Sequence, residues 1–276
     1  MAGEDSIEFT FVTYNIGGMK YLREERLQAF MDKIEVTLPD IVVIQEGTRL
    51  TYEKLLRSMG LLGYKRQLFD VMNTRETGEI MFSKFPILSG GDIGPRYLSF
   101  KKTSENRGIS CIKIEIGGTD RGLDNKTSGG TGVWICTSQF DDQTSLFRMQ
   151  VNEFTSILRT TLKDGPVIFG GDTRILEYQN DLVHPDGWCD AWYEAGTEDN
   201  KYTYDSKKNL LTKPPFRDRP DRVWFRSYES GWPPGGRLSS SKHQSLECVE
   251  CKLYGNDNPV AISPHYGVWV KFRLVK

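Results

Sequence analysis

The sequence predicts an α/β protein built from two packed β-sheets flanked by helices. Three observations lead there. Strand patterns outnumber helical ones, several strands are continuous apolar runs suited to a buried sheet, and amphipathic helical stretches lie between some of them.

Residues 7–15 (IEFTFVTYN) alternate apolar and polar side chains, as a half-buried strand does. Residues 22–38 place Leu27, Phe30, Met31, Ile34 and Leu38 at helical spacing. DIVVIQE (40–46) is a continuous apolar run ending in a carboxylate, hence a buried strand. A short helix follows, with Tyr52, Leu55, Leu56 and Met59 on one face. Strands are expected at 64–69, 79–83, 109–116 and 132–138. A long helix at about 145–162 turns Phe147, Val151, Phe154, Ile157, Leu158 and Leu162 inward. The last strands are 166–171, 221–226 and 267–274, and the polar, glycine-rich stretches 117–132 and 227–245 read as loops. No linker or repeat divides the chain, so one domain, 1–276, is expected.

Composition narrows the function. With 276 residues, 38% hydrophobic and 12% aromatic, the chain is rich enough for a sizeable core. Its 36 Lys and Arg nearly balance 37 Asp and Glu, so no global basic field announces a nucleic-acid partner. The basic run KPPFRDRPDR (213–222) could still mark a local nucleic-acid contact, though such a run is more often a solvated loop. Cysteines 111, 136, 189, 248 and 251 are odd in number and scattered. Cys248-Val-Glu-Cys251 has CxxC spacing but lacks the second pair or the histidines of a zinc site, so reduced structural thiols are expected. The N-terminal stretch has no signal architecture and no apolar run is of membrane length, so an intracellular protein of nucleus or cytoplasm is expected.

Chemistry gathers where strands end. Asn15, Glu46, Gln139, Asp172 and His265 each follow a buried run, and such ends converge on one edge of a core. In VIFGGDTRI (167–175), Asp172 closes a strand and Arg174 stands two positions on, on the same side of an extended chain.

TYNIGG (13–18), VVIQEG (42–47), TSQFDD (137–142), GGDTR (170–174), DRVWF (221–225) and SPHYGVWV (263–270) resemble the motifs of the endonuclease/exonuclease/phosphatase superfamily. The pattern covers nearly the whole chain. Within it, GGDT, YTYDSKKN (202–209) and HYG look most like the tyrosyl-DNA phosphodiesterases that act on 5′ ends. The resemblance implies a four-layer α/β sandwich, its two mainly antiparallel sheets flanked by helices, that hydrolyses phosphoesters with magnesium. It implies Asn15 and Glu46 around the metal, with Glu46 as the hard oxygen ligand. It implies Asp172 as the residue that orients the attacking water and His265 as the residue facing the phosphate.

Three positions depart from that pattern. Gln139 stands for the histidine of TxHL and can neither carry charge nor move a proton. Arg174 stands for the asparagine of GDxN. Pro264 stands for the aspartate of the closing SDH motif, so His265 is expected to lose its orienting partner, with Asp257 in GNDNP as an alternative. Losing one preorganised donor typically costs ~10²–10³ in rate. Losing an orienting carboxylate costs ~10⁴ in the serine-protease case, and such losses are not additive. His184 and His243 read as surface residues rather than replacements. For Arg174 three readings stand: it fills the metal's electrostatic place, it turns outward to solvent, or it clamps a substrate phosphate.

Two functions follow. One is a catalytically impaired domain kept as a binding module for a nucleic-acid end or a protein partner, needing no cofactor. Its loops 117–132 and 227–245, the latter with Trp232 and Arg237, offer contact surface. The other is an active magnesium phosphodiesterase on 5′ DNA ends or another phosphoester.

Overall fold

Two six-stranded sheets face each other because most of their strands sort side chains by parity. The computed structural model describes residues 6–19, 23–68, 76–90, 93–118, 129–162, 164–179, 185–228 and 244–275. The chain begins with β1 (Ser6–Asn15), α1 (Arg23–Thr37), β2 (Ile41–Gly47), α2 (Arg49–Leu61), β3 (Lys65–Leu68) and β4 (Gly78–Ser83). It continues with β5 (Arg96–Ser99), β6 (Gly108–Ile116), β7 (Thr131–Gln139), α3 (Thr144–Thr161) and β8 (Val167–Asp172). Then come β9 (Cys189–Asp190), α4 (Ala191–Ala195), β10 (Tyr204–Asp205), β11 (Arg217–Asp218), β12 (Asp221–Arg226), β13 (Ser245–Tyr254) and β14 (Gly267–Val275).

The first sheet runs β13-β14-β1-β2-β4-β3 and the second β5-β6-β7-β8-β12-β9. All pairings are antiparallel except β1 with β2 and β7 with β8. Phe9, Phe11, Ile41 and Val43 of the first sheet meet Ile112, Ile135, Ile168 and Val223 of the second in one core. Their neighbours of opposite parity face the helices. Val12, Val42 and Ile44 pack beneath α1 and α2, while Trp134, Phe169 and Trp224 pack with Phe154 and Leu158 of α3. Burying each such side chain contributes about 1.5–3 kcal/mol. The result is the expected four layers, with two mainly antiparallel sheets flanked by helices.

Two local expectations change. Leu38 ends the first helix in a left-handed conformation (φ 44°) and is 45% exposed rather than inward. The segment around the CxxC is a strand, β13. A register shift between Cys248 and Glu250 bends this sheet-edge strand and breaks its alternation. The side chain of Phe147, most of loop 117–132 and most of loop 227–245, with Trp232 and Arg237, lie outside the described residues. Among the described residues, no helix is long and apolar enough to cross a membrane.

Candidate active site

The register of the second sheet sets three polar residues in one row. Gln139 of β7 pairs with Asp172 of β8, and Asp172 with Asp221 of β12. Glycine makes the row possible. A Cβ on Gly170 would meet the Phe11 ring at 2.6 Å, and one on Gly171 would meet the Ser138 carbonyl oxygen at 2.2 Å. Opposite the row, β1 ends at Asn15. β2 bulges between Ile44 and Gly47, where Glu46 takes a left-handed conformation (φ 56°) that re-aims its carboxylate. Asn15 then ties the sheets together. Its Nδ2 donates to Glu46 Oε1 at 3.1 Å and to Asp172 Oδ2 at 2.8 Å.

Glu46 Oε1 is crowded with donors. Besides Asn15 it accepts from Gln139 Nε2 at 2.5 Å and from an Arg174 terminal nitrogen at 3.2 Å. This fixes the glutamine amide orientation, because the flipped amide would set two oxygens against each other. Gln139 Oε1 is left buried without a partner. Arg174 Nε lies 3.0 Å from Asp172 Oδ2 and 2.9 Å from Asp142 Oδ1. Its N–H makes no aligned hydrogen bond there, so these are charge contacts. Asp172 Oδ1 accepts from the Arg174 backbone at 3.1 Å, so neither oxygen of Asp172 is without a donor.

Asp172 is wholly buried, which pushes its pKa up, yet Arg174, His265 and the Asn15 hydrogen bond outweigh this and hold it below the ordinary range. For Arg174, burial opposes the charge, but Asp172, Asp142 and Glu46 prevail and keep the guanidinium charged. His265 Nδ1 lies 2.8 Å from Asp221 Oδ2, which also accepts from Thr203 Oγ1 at 2.7 Å. Burial alone would lower the imidazole pKa, but the facing Asp221 carboxylate and then Asp172 raise it. Asp221 itself is raised, first by burial. The ring edge of Tyr204, with centroids 4.9 Å apart, and the Ser263 hydroxyl against its backbone N–H complete the setting of His265.

No family model matches the chain. Tyrosyl-DNA phosphodiesterase 2 of Xenopus laevis is 23% identical over 241 residues, 83% of this chain. The chain spans only 59% of that protein's length. Among the solved structures it resembles, two superpose over nearly all of this chain. The D. rerio TDP2 complexed with a single-strand DNA product has a TM-score of 0.74 at 19% identity, covering 96% of this chain and 98% of that one. An endonuclease/exonuclease/phosphatase family protein of Bacteroides thetaiotaomicron has a TM-score of 0.68 at 14% identity, covering 99% of each. The fold is that of the endonuclease/exonuclease/phosphatase proteins.

Against that family's motif pattern, the three departures are unequal. The expected loss at Pro264 does not occur. His265 has its orienting carboxylate in Asp221, which the antiparallel register of β12 and β8 delivers. Asp257 is not the substitute, since it is exposed and pairs with Lys33 Nζ at 2.6 Å. Pro264 acts through its backbone, its carbonyl accepting from Asn209 Nδ2 at 3.2 Å and from Thr212 Oγ1. Gln139 and Arg174, by contrast, both engage Glu46.

Arg174 reaches Asp172 by a turn rather than by strand alternation. It has φ 55°, and its backbone N–H already bonds the Asp172 side chain. Two residues were missed. Asp221 opens the quoted DRVWF stretch, so its signal was present but unassigned. Asp142 follows β7 in TSQFDD, and only the folded loop shows that it meets Arg174. The described His, Cys, Asp and Glu residues close enough to share an ion are Asp172, Asp221 and His265; Glu46 is not among them. His184 and His243 lie outside the described residues.

Proposed function

We propose that this chain is a tyrosyl-DNA-phosphodiesterase-like unit whose hydrolytic centre is impaired and which serves as a binding module for a single-stranded nucleic-acid end. One observation carries the reading: the Arg174 guanidinium lies within 3.2 Å of Glu46, Asp172 and Asp142. Magnesium requires oxygen ligands and an open place for its own charge. The oxygens are of the right kind, but the charge is already supplied by a covalently held cation, so the residues as arranged do not fit the ion. Four carboxylates, Glu46, Asp142, Asp172 and Asp221, then lie against Arg174 and His265, with Arg107 acting on Asp142 from farther away. With these cations already matched by carboxylates, little positive charge is left to stabilise the charge that develops in phosphoryl transfer.

The same balance moves nucleic-acid contact away from the acidic centre. Residues 204–218, beside His265, expose Lys207, Lys208, Lys213, Arg217 and Phe216, and Tyr178 is exposed next to Glu177, whose N–H bonds Asp218 Oδ1. Basic side chains with aromatic faces suit a single strand. The D. rerio structure with a single-strand DNA product supports this choice of ligand. The chain acts as one unit, since both sheets contribute to a common core.

The test is fluorescence anisotropy of a 5′-phosphorylated single-stranded oligonucleotide, with EDTA and then with magnesium, alongside turnover of a 5′-phosphotyrosyl oligonucleotide. Metal-independent binding without turnover is expected. Absence of binding would direct attention to a protein partner. A second reading, an active phosphodiesterase, is favoured by the intact Asp221–His265 pair at 2.8 Å. Turnover that disappears in Glu46→Ala would establish it.

A further inference from the structure

Two thiols of the second sheet play no part in this reading. Cys111 on β6 and Cys136 on β7 are direct cross-strand partners, both fully buried on the face that packs against α3. Neighbouring hydrogen bonds decide which kind of pair they form. In β6, odd-numbered residues turn their peptide groups away from β7: Leu88 N donates to Lys113 O, Glu115 N to Pro86 O, and Phe100 N to Arg107 O just before the strand. In β7, even-numbered Trp134 turns its N–H toward Pro166 O, at the start of β8. Cys111 and Cys136 share those parities, so neither directs its peptide group at the other. They are a non-hydrogen-bonded pair, the type with Cα atoms about 4.5 Å apart and side chains closest. That separation lies within the roughly 4.4–6.8 Å range of disulfides.

We propose that Cys111 and Cys136 form a modification site, a buried dithiol that hydrogen peroxide converts to a cross-strand disulfide. One thiolate attacks a peroxide oxygen and breaks the O–O bond, giving a sulfenic acid and hydroxide. The second thiol displaces the sulfenic hydroxyl as water, and the S–S bond forms. Two thiols and one peroxide become one disulfide and two waters, with two electrons passing from sulfur to oxygen. Burial, and then the nearby Cys111, raise the Cys136 thiol well above its ordinary value, so thiolate is scarce and the reaction is slow. A small oxidant is needed for the same reason. The bond would staple β6 to β7 three residues before Gln139.

The full chain is treated with hydrogen peroxide, denatured, alkylated without reduction and digested. Oxidation of exposed Cys189 in the same sample shows that the reagent acted. The expected product is a peptide joining Cys111 to Cys136, two hydrogens lighter than its parts. A rise in Tm of roughly 5–10 °C that a thiol reductant reverses should accompany it. The rise should persist when Cys189, Cys248 and Cys251 are all changed to Ser, and should vanish in Cys111→Ser and Cys136→Ser. Recovery of both residues as alkylated thiols, or as separate sulfinic acids, while Cys189 is oxidised overturns the proposal.

Discussion

The two halves of the polar edge close their charges differently. At the ends of β12 and β14, Asp221 and His265 pair directly, both buried, at 2.8 Å, with Asp172 as a second carboxylate near the imidazole. At the ends of β2 and β8, three carboxylates share one guanidinium that is 27% exposed. The first half supplies its own cation, although Asp221 Oδ1 is buried there without a hydrogen-bond partner. The second is built around a positive charge, and a side chain fixed to the backbone supplies it. The two halves are therefore separable: Gln139 and Arg174 touch the second and leave the Asp221–His265 pair standing.

The strongest blow to that contrast falls on the closed pair. Asp221→Ala leaves His265 buried beside no orienting carboxylate, and urea unfolding should show a loss of roughly 3–5 kcal/mol. A loss under about 1 kcal/mol would mean that the pair is not closed as described. Arg174→Ala should cost less, roughly 1–3 kcal/mol, because Asp172 keeps the Asn15 donor. If the two losses come out in the reverse order, the account of which half is self-sufficient is wrong.

How much of this was legible beforehand depends on how far each contact reaches in sequence. The strand ends Asn15, Glu46, Gln139 and Asp172 announce themselves, because a buried apolar run that stops at a polar residue is a local signal. Asp221 does not, since its place beside Asp172 comes from an antiparallel pairing of strands far apart in sequence. The sequence pattern points to the position before His265 for an orienting carboxylate, and Pro264 offers none there. β13 escaped for another reason: an edge strand with a bulge loses the alternation that identifies strands. Arg174 was placed beside Asp172 by alternation, whereas a left-handed turn brings it there.

The comparison is sharpened by pH. The raised His265 pKa means that its contribution to stability is complete below about 6.5, the unfolded value. That contribution is lost as pH rises through the higher folded value. The imidazole titration followed by NMR should therefore have its midpoint above about 6.5 and fall in Asp221→Asn. A midpoint at or below that value would remove the ion pair from the account. The smallest effect is expected at Asp142, whose side chain is 68% exposed: Asp142→Asn should cost no more than about 1 kcal/mol, by urea unfolding. A larger loss would make the outer carboxylate, rather than Glu46 and Asp172, the main anchor of Arg174.

Magnesium calorimetry on the natural chain and on Arg174→Asn decides whether Arg174 holds the electrostatic place of a divalent cation. Asparagine tolerates the left-handed backbone at this position, so the turn should survive the change. Removing a positive charge a few ångströms from the carboxylates should tighten magnesium binding at least roughly tenfold. Weak or undetectable heat is expected for the natural chain and clear saturation for the variant. Equal affinities in the two proteins would contradict this.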